Sequence, residues 1–258
     1  MVRNGISSDT SGDGGHMARR GFLATVGAGA VGLAGCVGGD GTAAADTPTP
    51  TESEGGSGTE TPTETGSEGW TGLDPQFGFV GATPEAPAPV EPDAEVQLLI
   101  GEREGAPIPE FYFEPSGLFV EAGSVVKFAL ATPDHTVTAY HPSLGRTQRI
   151  PDGVPAISSP VLGGGTYWLY RFETPGVYDL YCAPHEPYGM AMRLVVGEAT
   201  GPGAEPVSTA EPAHGDPRPP FQTSATVLSD PALDPETIVE AGSVPWEDIS
   251  AESKRLQM

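Results

Sequence analysis

The stretch YCAPHEPYGM, residues 181–190, contains three side chains that can bind a metal ion. They are the thiol of Cys182, the imidazole of His185 and the thioether of Met190. A thiolate is a soft ligand, an imidazole is borderline and a thioether is soft and weak, and copper suits this mixture best. One Cys and two His in a plane, with a distant axial Met, form the blue-copper arrangement, so a second imidazole is needed.

That second imidazole has to come from another part of the chain. The upstream candidates in the β-rich segment are His135 and His141, whereas His16 lies near the N-terminus and His214 in a Pro-rich tail. On a regular strand, residues six positions apart share a face but are about 20 Å apart, so His135 and His141 would not bind one metal together. A bend before Pro142 could bring His141 closer, but we predict a surface or core-edge role for it.

The sequence around these residues resembles the metal-binding segments of the plastocyanin-like cupredoxins. In that family a Cys is followed three positions later by a His and five positions after that by a Met, as in Cys182, His185 and Met190. The family's first His follows a V-x-x-G-x-x-V-x-F run, and the stretch VEAGSVVKFALATPDHTV places His135 at the matching point. The resemblance covers residues 95–198.

This resemblance implies a fold, a cofactor and an activity. It implies an all-β Greek-key sandwich of eight strands with one type 1 copper per chain, and it implies these metal ligands: His135, Cys182, His185 and Met190. Such proteins carry single electrons, so we expect no enzyme activity and brief docking with redox partner proteins through a small apolar patch. The alternative is a copper carrier or sensor, although a mixed ligand set in a rigid loop favours retention of the metal.

One position departs from the family pattern, and a second Met is an alternative candidate for the axial ligand. The family usually has Asn after its first His, where a hydrogen bond helps to fix the metal loop, whereas this chain has Thr136. Such hydrogen bonds tune the metal affinity and the reduction potential, so the reduction potential of this chain cannot be taken from the family. Met192 lies two residues beyond Met190, but the loop length favours Met190 as the axial ligand, and a strand Met is more often core.

Eight short β-prone runs separated by turn residues must position these side chains. The runs are VQLLI, FYF, LFV, SVVKFAL, TVTAY, TYWLYRF, GVYDLYC and MRLVV. Short strands with Gly and Pro between them predict a sandwich or a small barrel. In SVVKFAL, Val126 and Phe128 share one face and Val125 and Lys127 share the other, which predicts a strand with one buried side.

The N-terminal regions predict an exported and tethered protein. Residues 1–36 include Arg19-Arg20-Gly21-Phe22-Leu23, which resembles a twin-arginine export signal, and Leu33-Ala34-Gly35-Cys36, which resembles a lipobox. We therefore expect lipidated Cys36 to anchor the protein to the outer face of the cell membrane, with translation starting at Met1 or Met17. Residues 37–94 are predicted to be a disordered, low-complexity tether followed by a strap without regular structure.

Residues 199–258 are predicted to be a linker and a C-terminal extension. The stretch GPGAEPVSTAEPAHGDPRPPFQ has the composition of a linker. In DPETIVEAGSVPWEDI, Asp234 is a candidate N-cap and Pro235 stands at the first helical position. These signals predict a short helix and a strap that dock on the sandwich.

The composition excludes several classes of partner and activity. Acidic residues outnumber basic ones 35 to 12, the formal charge is −23, and the lysines are Lys127 and Lys254. Phosphate contacts need clustered basic side chains, so nucleic acid is excluded as a partner. High acidity with almost no Lys resembles the proteins of salt-loving archaea, and the exported setting resembles the haloarchaeal cupredoxins called halocyanins. The three His of residues 95–198 are too few for an oxygen-reducing multicopper enzyme.

Overall fold

The computed structural model describes residues 72–103 and 105–257. The predicted signal region, residues 1–36, and most of the predicted tether lie outside these described residues. The strands are β1 (Phe79–Gly81), β2 (Ala94–Gly101), β3 (Glu110–Glu114), β4 (Gly117–Val120), β5 (Ser124–Leu130), β6 (Thr138–Ala139), β7 (Tyr167–Phe172), β8 (Gly176–Tyr181), β9 (Ala191–Val196) and β10 (Ser243–Val244). The helices are α1 (Gln222–Leu228) and α2 (Pro235–Ala241), and in the part of the chain described no helix is long and apolar enough to cross a membrane.

The strands form two five-stranded sheets with non-sequential neighbours. One sheet has the order β1-β7-β5-β2-β3 and the other has the order β10-β4-β9-β8-β6. Most neighbours are antiparallel, but β2 runs parallel to β5 and β4 runs parallel to β9, so the chain crosses between the sheets. The predicted all-β Greek-key sandwich is confirmed, and each of the eight predicted runs contains a strand. The two additional strands, β1 and β10, lie on either side of residues 95–198.

The main core lies between the two sheets. Alternate residues of β5, Val126 and Phe128, are fully buried in it, as are Leu180 of β8 and Leu194 of β9. Because side chains alternate across a strand, these residues lie on the face of each strand that is turned toward the core. Burial of each such side chain contributes roughly 1.5–3 kcal/mol to the free energy of folding.

The outer face of the first sheet is covered as well. Val125 is only 1% exposed and packs with Leu73 and Leu169, because residues 72–90 lie across this face. The prediction of one buried side for β5 is therefore wrong, and so is the prediction that the strap lacks regular structure, since β1 pairs with β7. The alternation of apolar and polar residues within one strand does not show that a segment distant in sequence covers its outer face. Lys127 on this face is partly exposed, and its ammonium group lies 3.1 Å from the carboxylate of Glu95.

The C-terminal extension docks on the outer face of the second sheet. Val177 and Val195 project from this face and form a second apolar cluster with Val227, Leu233, Ile238, Val244, Trp246 and Ile249. The predicted helix is confirmed as α2, whose N-cap Asp234 accepts a hydrogen bond from the amide of Glu236 at 3.0 Å. β10 then pairs with β4 and closes this edge of the sheet.

A buried charge cluster also ties the extension to the second sheet. The carboxylate of Asp179 accepts hydrogen bonds from Arg149 at 2.6 Å and from Arg193 at 2.8 Å. Other N–H groups of the two guanidiniums donate to backbone carbonyls of the extension, which include those of Gly203, Glu205 and Leu233. One carboxylate in the sheet therefore organises two arginines that hold residues 203–233 in place.

Candidate metal centre

Three of the predicted ligand atoms meet at one end of the sandwich. The Nδ1 atoms of His135 and His185 are 3.1 Å apart, and Sγ of Cys182 lies 3.6 Å from the first and 3.4 Å from the second. A point equidistant from these atoms is about 2 Å from each, within the range of bonds from imidazole and thiolate ligands to a first-row metal. The donor triangle therefore fits a metal ion of the kind its chemistry favours, which is copper.

His135 reaches this triangle from the turn that follows β5. Its backbone amide donates to the carbonyl of Leu162 at 3.3 Å, and the amide of Leu162 donates back to the carbonyl of His135 at 3.0 Å. This isolated bridge holds the ligand segment against the loop that precedes β7. His135 is 0% exposed, so its ring is fixed inside the protein rather than on the surface.

Met190 lies opposite Cys182 across the β8–β9 hairpin. The pairing continues the register in which Tyr181 faces Ala191, and the amide of Cys182 donates to the carbonyl of Met190 at 3.1 Å. Opposite residues of an antiparallel pair have side chains on the same face, so Cys182 and Met190 share a side. Met192 faces Leu180, two pairs further into the sandwich, where it packs in the main core.

Backbone hydrogen bonds close the loop between Cys182 and Met190. The carbonyl of Cys182 accepts hydrogen bonds from the amides of His185 at 3.0 Å and Glu186 at 2.8 Å. The amide of Met190 donates to the carbonyl of His185 at 3.3 Å. Gly189 has a φ of 97°, a value that side-chain-bearing residues rarely adopt, so this tight turn favours glycine.

A hydrogen bond at Nε2 of His135 leaves Nδ1 as the ring nitrogen that is free to bind a metal. Nε2 is 2.9 Å from the hydroxyl oxygen of Thr132, and this hydroxyl donates its hydrogen to the carbonyl of Leu98 at 3.2 Å. With its hydrogen used there, the oxygen of Thr132 accepts a hydrogen bond from Nε2–H. The lone pair of the neutral ring is then on Nδ1, which faces the sulfur of Cys182.

Thr136 takes over the role expected of the missing Asn. Its backbone amide donates to Sγ of Cys182 at 3.3 Å, and its side-chain oxygen accepts a hydrogen bond from the amide of Ala183 at 2.8 Å. Its hydroxyl is also 3.0 Å from that of Thr138. The departure from the family pattern therefore keeps a hydrogen bond between the segment carrying His135 and the ligand loop.

We expect Thr136→Val to loosen the ligand loop. The substitution keeps the shape of the side chain but removes the acceptor of the Ala183 amide, and an unpaired amide costs about 1–3 kcal/mol. Chemical denaturation of the metal-free protein measures this loss. Thr138→Val is the matched control because it breaks only the contact between the two hydroxyls; equal losses in both variants would contradict this role of Thr136.

Burial keeps both imidazoles neutral and the thiol protonated in the metal-free protein. Burial and the neighbouring His185 lower the pKa of His135 to about 4, against a small opposing effect of Asp134. Burial also lowers the pKa of His185. It raises the pKa of the Cys182 thiol, while the amide of Thr136 acts in the opposite direction. At neutral pH the two imidazoles are free to bind a metal, and binding releases the thiol proton.

The metal-free protein should lose stability as the pH falls from about 6.5 to 4. In this window the unfolded chain binds a proton at His135 that the folded chain does not bind, so acid favours unfolding. The contribution of neutral His135 to the free energy of unfolding is fully present above pH 6.5, and about 3 kcal/mol of it is lost by pH 4. Denaturation at pH 7 and pH 4.5 measures it, and a His135→Gln variant with the same pH dependence as wild type would contradict the assignment.

His185 forms the part of the site that is nearest to solvent. Its ring is partly exposed and stacks on Phe111, with ring centroids 4.1 Å apart and an angle of 17° between the planes. Ala183, Pro184 and Pro187 are exposed beside it. His141 lies elsewhere: its Nδ1 accepts a hydrogen bond from the amide of Ser143 at 3.1 Å and caps a 3-10 turn, which confirms its predicted structural role.

Three further residues of the site were not predicted from the sequence. Thr132 contacts one imidazole, Phe111 stacks on the other, and Glu186 is 1% exposed in the ligand loop, where it pairs with Arg146. Thr132 lies three residues before a ligand, which is a local signal that could have been used. Phe111 and Arg146 are brought to the site by the fold, so no spacing in the sequence indicates them.

Known proteins share these features. The family described as copper binding proteins, plastocyanin/azurin family, matches residues 103–197. A protein described as a pseudoazurin of Rhizobium leguminosarum bv. viciae is 30% identical over 140 residues, which cover 53% of this chain and 83% of the relative. The plastocyanin of Prochlorothrix hollandica is 31% identical over 108 residues, which cover 40% and 73% of the two chains. The pseudoazurin structure of Methylobacterium extorquens AM1 is 22% identical with a TM-score of 0.35, covering 58% of this chain and 96% of that chain.

The matched region contains the whole donor triangle and the residue opposite its thiol. Two relatives of at least 30% identity, described as a pseudoazurin and a plastocyanin, are covered over most of their length. The ligand chemistry and the relatives therefore agree: this chain belongs to the plastocyanin/azurin family of copper-binding proteins, the cupredoxins, and its cofactor is copper.

Proposed function

We propose that this chain is a type 1 blue copper protein that carries single electrons, and that it is not an enzyme. Its ligands would be His135, Cys182, His185 and Met190. The observation that carries the proposal is the convergence of one thiol and two Nδ1 atoms into a triangle with sides of 3.1–3.6 Å. The buried residue Met190 is paired through its backbone with Cys182, which carries the thiol. Bound copper would supply a centre that accepts and releases one electron.

Each residue of the site has a separate task in this proposal. Cys182 would provide the soft thiolate, His135 and His185 would provide the two imidazoles, and Met190 would provide the weak thioether. Thr132 holds the ring of His135 in one tautomer, and Thr136 ties the two ligand segments together. A site fixed by its own hydrogen bonds needs little rearrangement when its charge changes by one electron.

The partly exposed ring of His185 is the proposed exit for the electron. The side chains around it are small and apolar, with Ala183, Pro184 and Pro187 exposed on the loop. A small patch of this kind suits brief contact with a redox partner better than permanent binding. We propose that redox partner proteins dock here transiently.

The sequence outside the described residues supports a proposed location. The twin-arginine motif and the lipobox before Cys36 are expected to export the folded domain and anchor it by a lipid to the outer face of the cell membrane. Its partners would then be membrane-associated redox proteins. The formal charge of −23 supports a halocyanin-like protein of haloarchaeal origin.

A copper carrier or sensor is the alternative function, and retention of the metal separates the two. A carrier releases copper to an acceptor, whereas an electron carrier keeps it through many cycles. We expect copper-loaded protein, challenged with a Cu(I) chelator and cycled between reductant and oxidant, to keep its copper in both states. Rapid transfer of copper to the chelator after reduction would favour the carrier and reject the electron-transfer proposal.

A further inference from the structure

The C-terminal extension contacts the ligand loop at the residue that follows His185. The carboxylate of Glu186 is buried and accepts hydrogen bonds from the hydroxyl of Tyr140 at 2.9 Å and from the backbone amide of Phe221 at 3.0 Å. It also forms a two-pronged ion pair with the buried guanidinium of Arg146, in which Nη1 is 2.7 Å from Oε2. One side chain of the loop is thus bonded to three separate parts of the chain.

The backbone of the loop contacts α1 as well. The hydroxyl of Ser224 donates to the carbonyl of Glu186 at 2.6 Å, and this carbonyl also accepts the amide of Gly189 at 2.9 Å. A Cβ placed on Gly189 would lie only 3.1 Å from a methyl carbon of Thr223. α1 therefore packs directly against the segment that joins His185 to Met190.

The charges in this contact have little freedom to rearrange. The guanidinium of Arg146 is 5.2 Å from the ring of Tyr140 and 5.0 Å from that of Tyr181, and it donates to the carbonyl of Pro219 at 3.0 Å. A buried ion pair whose hydrogen bonds are largely satisfied resists displacement, because moving either partner exposes an uncompensated charge. Because Glu186 is part of the loop that holds His185, the ion pair also restricts the movement of this loop.

We propose that α1 and the preceding residues 219–221 act as a positioning element for His185, working through Glu186. This inference rests on the proposed function, since it assigns the extension a role at the copper ligands. The extension holds the ligand loop in its metal-binding arrangement before the metal arrives and limits its movement when the oxidation state changes. Glu186 and Ser224 are therefore positioning residues of the site.

Ser224→Ala tests this role in the full-length protein. The substitution removes one hydrogen bond to the loop but leaves the carbonyl of Glu186 bonded to Gly189, and alanine suits a helix at least as well as serine. Thr226→Ala is the matched control, because the hydroxyl of Thr226 donates to the carbonyl of Gln222 within α1. Hydrogen exchange of residues 183–190 is measured without metal, and the reduction potential and electron paramagnetic resonance spectrum are measured with copper.

We expect loop amides in metal-free Ser224→Ala to exchange about fivefold faster, as loss of one hydrogen bond predicts. The copper-loaded variant should also differ from wild type in potential and spectrum, whereas Thr226→Ala should match wild type in all three. An unchanged exchange rate or an unchanged potential and spectrum in Ser224→Ala would overturn the inference. A wild-type protein that forms no blue site would reject the proposed function instead, and the metal-free exchange would still show whether α1 holds the loop.

Discussion

Replacing Cys182 with serine is expected to abolish the blue copper site while the sandwich remains folded. Serine has nearly the same shape, and its oxygen still accepts the hydrogen bond that Thr136 donates to Sγ at 3.3 Å. A neutral hydroxyl is a hard, weak ligand that cannot replace a thiolate in binding copper. Loss of a residue that only supports a ligand lowers metal affinity 10–100-fold, so loss of this ligand should lower it by more than about 100-fold.

Visible absorption and competition with a chelator measure this effect. Wild type should show an intense thiolate-to-copper band, and Cys182→Ser should show none. Met192→Leu is the control, because Met192 faces Leu180 in the core and should leave the band in place. A Cys182→Ser variant that keeps the intense band, or a Met192→Leu variant that loses it, would contradict the assignment of ligands.

Asp179→Asn is expected to cause a large loss of stability while leaving the copper ligands intact. Asp179 is 0% exposed, and its carboxylate is the shared anionic partner of Arg149 and Arg193. Asparagine has a similar size but removes the negative charge, so two buried guanidinium groups lose their counter-ion. Breaking a buried pair of this kind costs about 3–5 kcal/mol.

Denaturation of the metal-free protein compares this variant with a surface control. Glu95→Gln breaks the ion pair with Lys127, in which the carboxylate side chain is 44% exposed, and it should cost no more than about 1 kcal/mol. Because Arg149 and Arg193 also hold the extension, residues 203–233 should become more sensitive to protease in Asp179→Asn. Equal stabilities of the two variants would show that the buried cluster contributes little.

The strands and the ligand loop could be predicted because their signals are local. Each predicted run contains a strand, since short β-prone stretches are bounded by Gly and Pro turns. Cys182, His185 and Met190 lie within nine residues of one another, so their chemistry is visible in the sequence. His135 lies farther away: the need for a second imidazole left His135 and His141 as candidates, and the family resemblance selected His135 before the geometry placed its Nδ1 beside the others.

The cover of the sandwich and the contacts of the loop could not be predicted because they join distant segments. Nothing near Val125 indicates that residues 72–90 cover its face. α1 was missed for a local reason: within the described residues no side chain caps its start, and Phe221 stands at that position. Packing on the sheet and on the ligand loop stabilises this helix instead of a capping signal.

Glu186 illustrates the limit of spacing arguments most clearly. In the sequence it is one acidic residue among 35 acidic residues, in a chain with a strongly negative charge. In the fold it is 1% exposed and paired with an arginine 40 residues upstream. Composition predicts a solvated carboxylate here, whereas the structure uses it to hold the metal loop.

The visible spectrum of the metal-free protein after addition of Cu(II) tests the central claim most directly. We predict an intense blue band that saturates at one copper per chain, disappears on addition of a one-electron reductant and returns on reoxidation. A colourless or pale product, or a band that does not recover after one cycle, would contradict the assignment of this chain as a blue copper electron carrier.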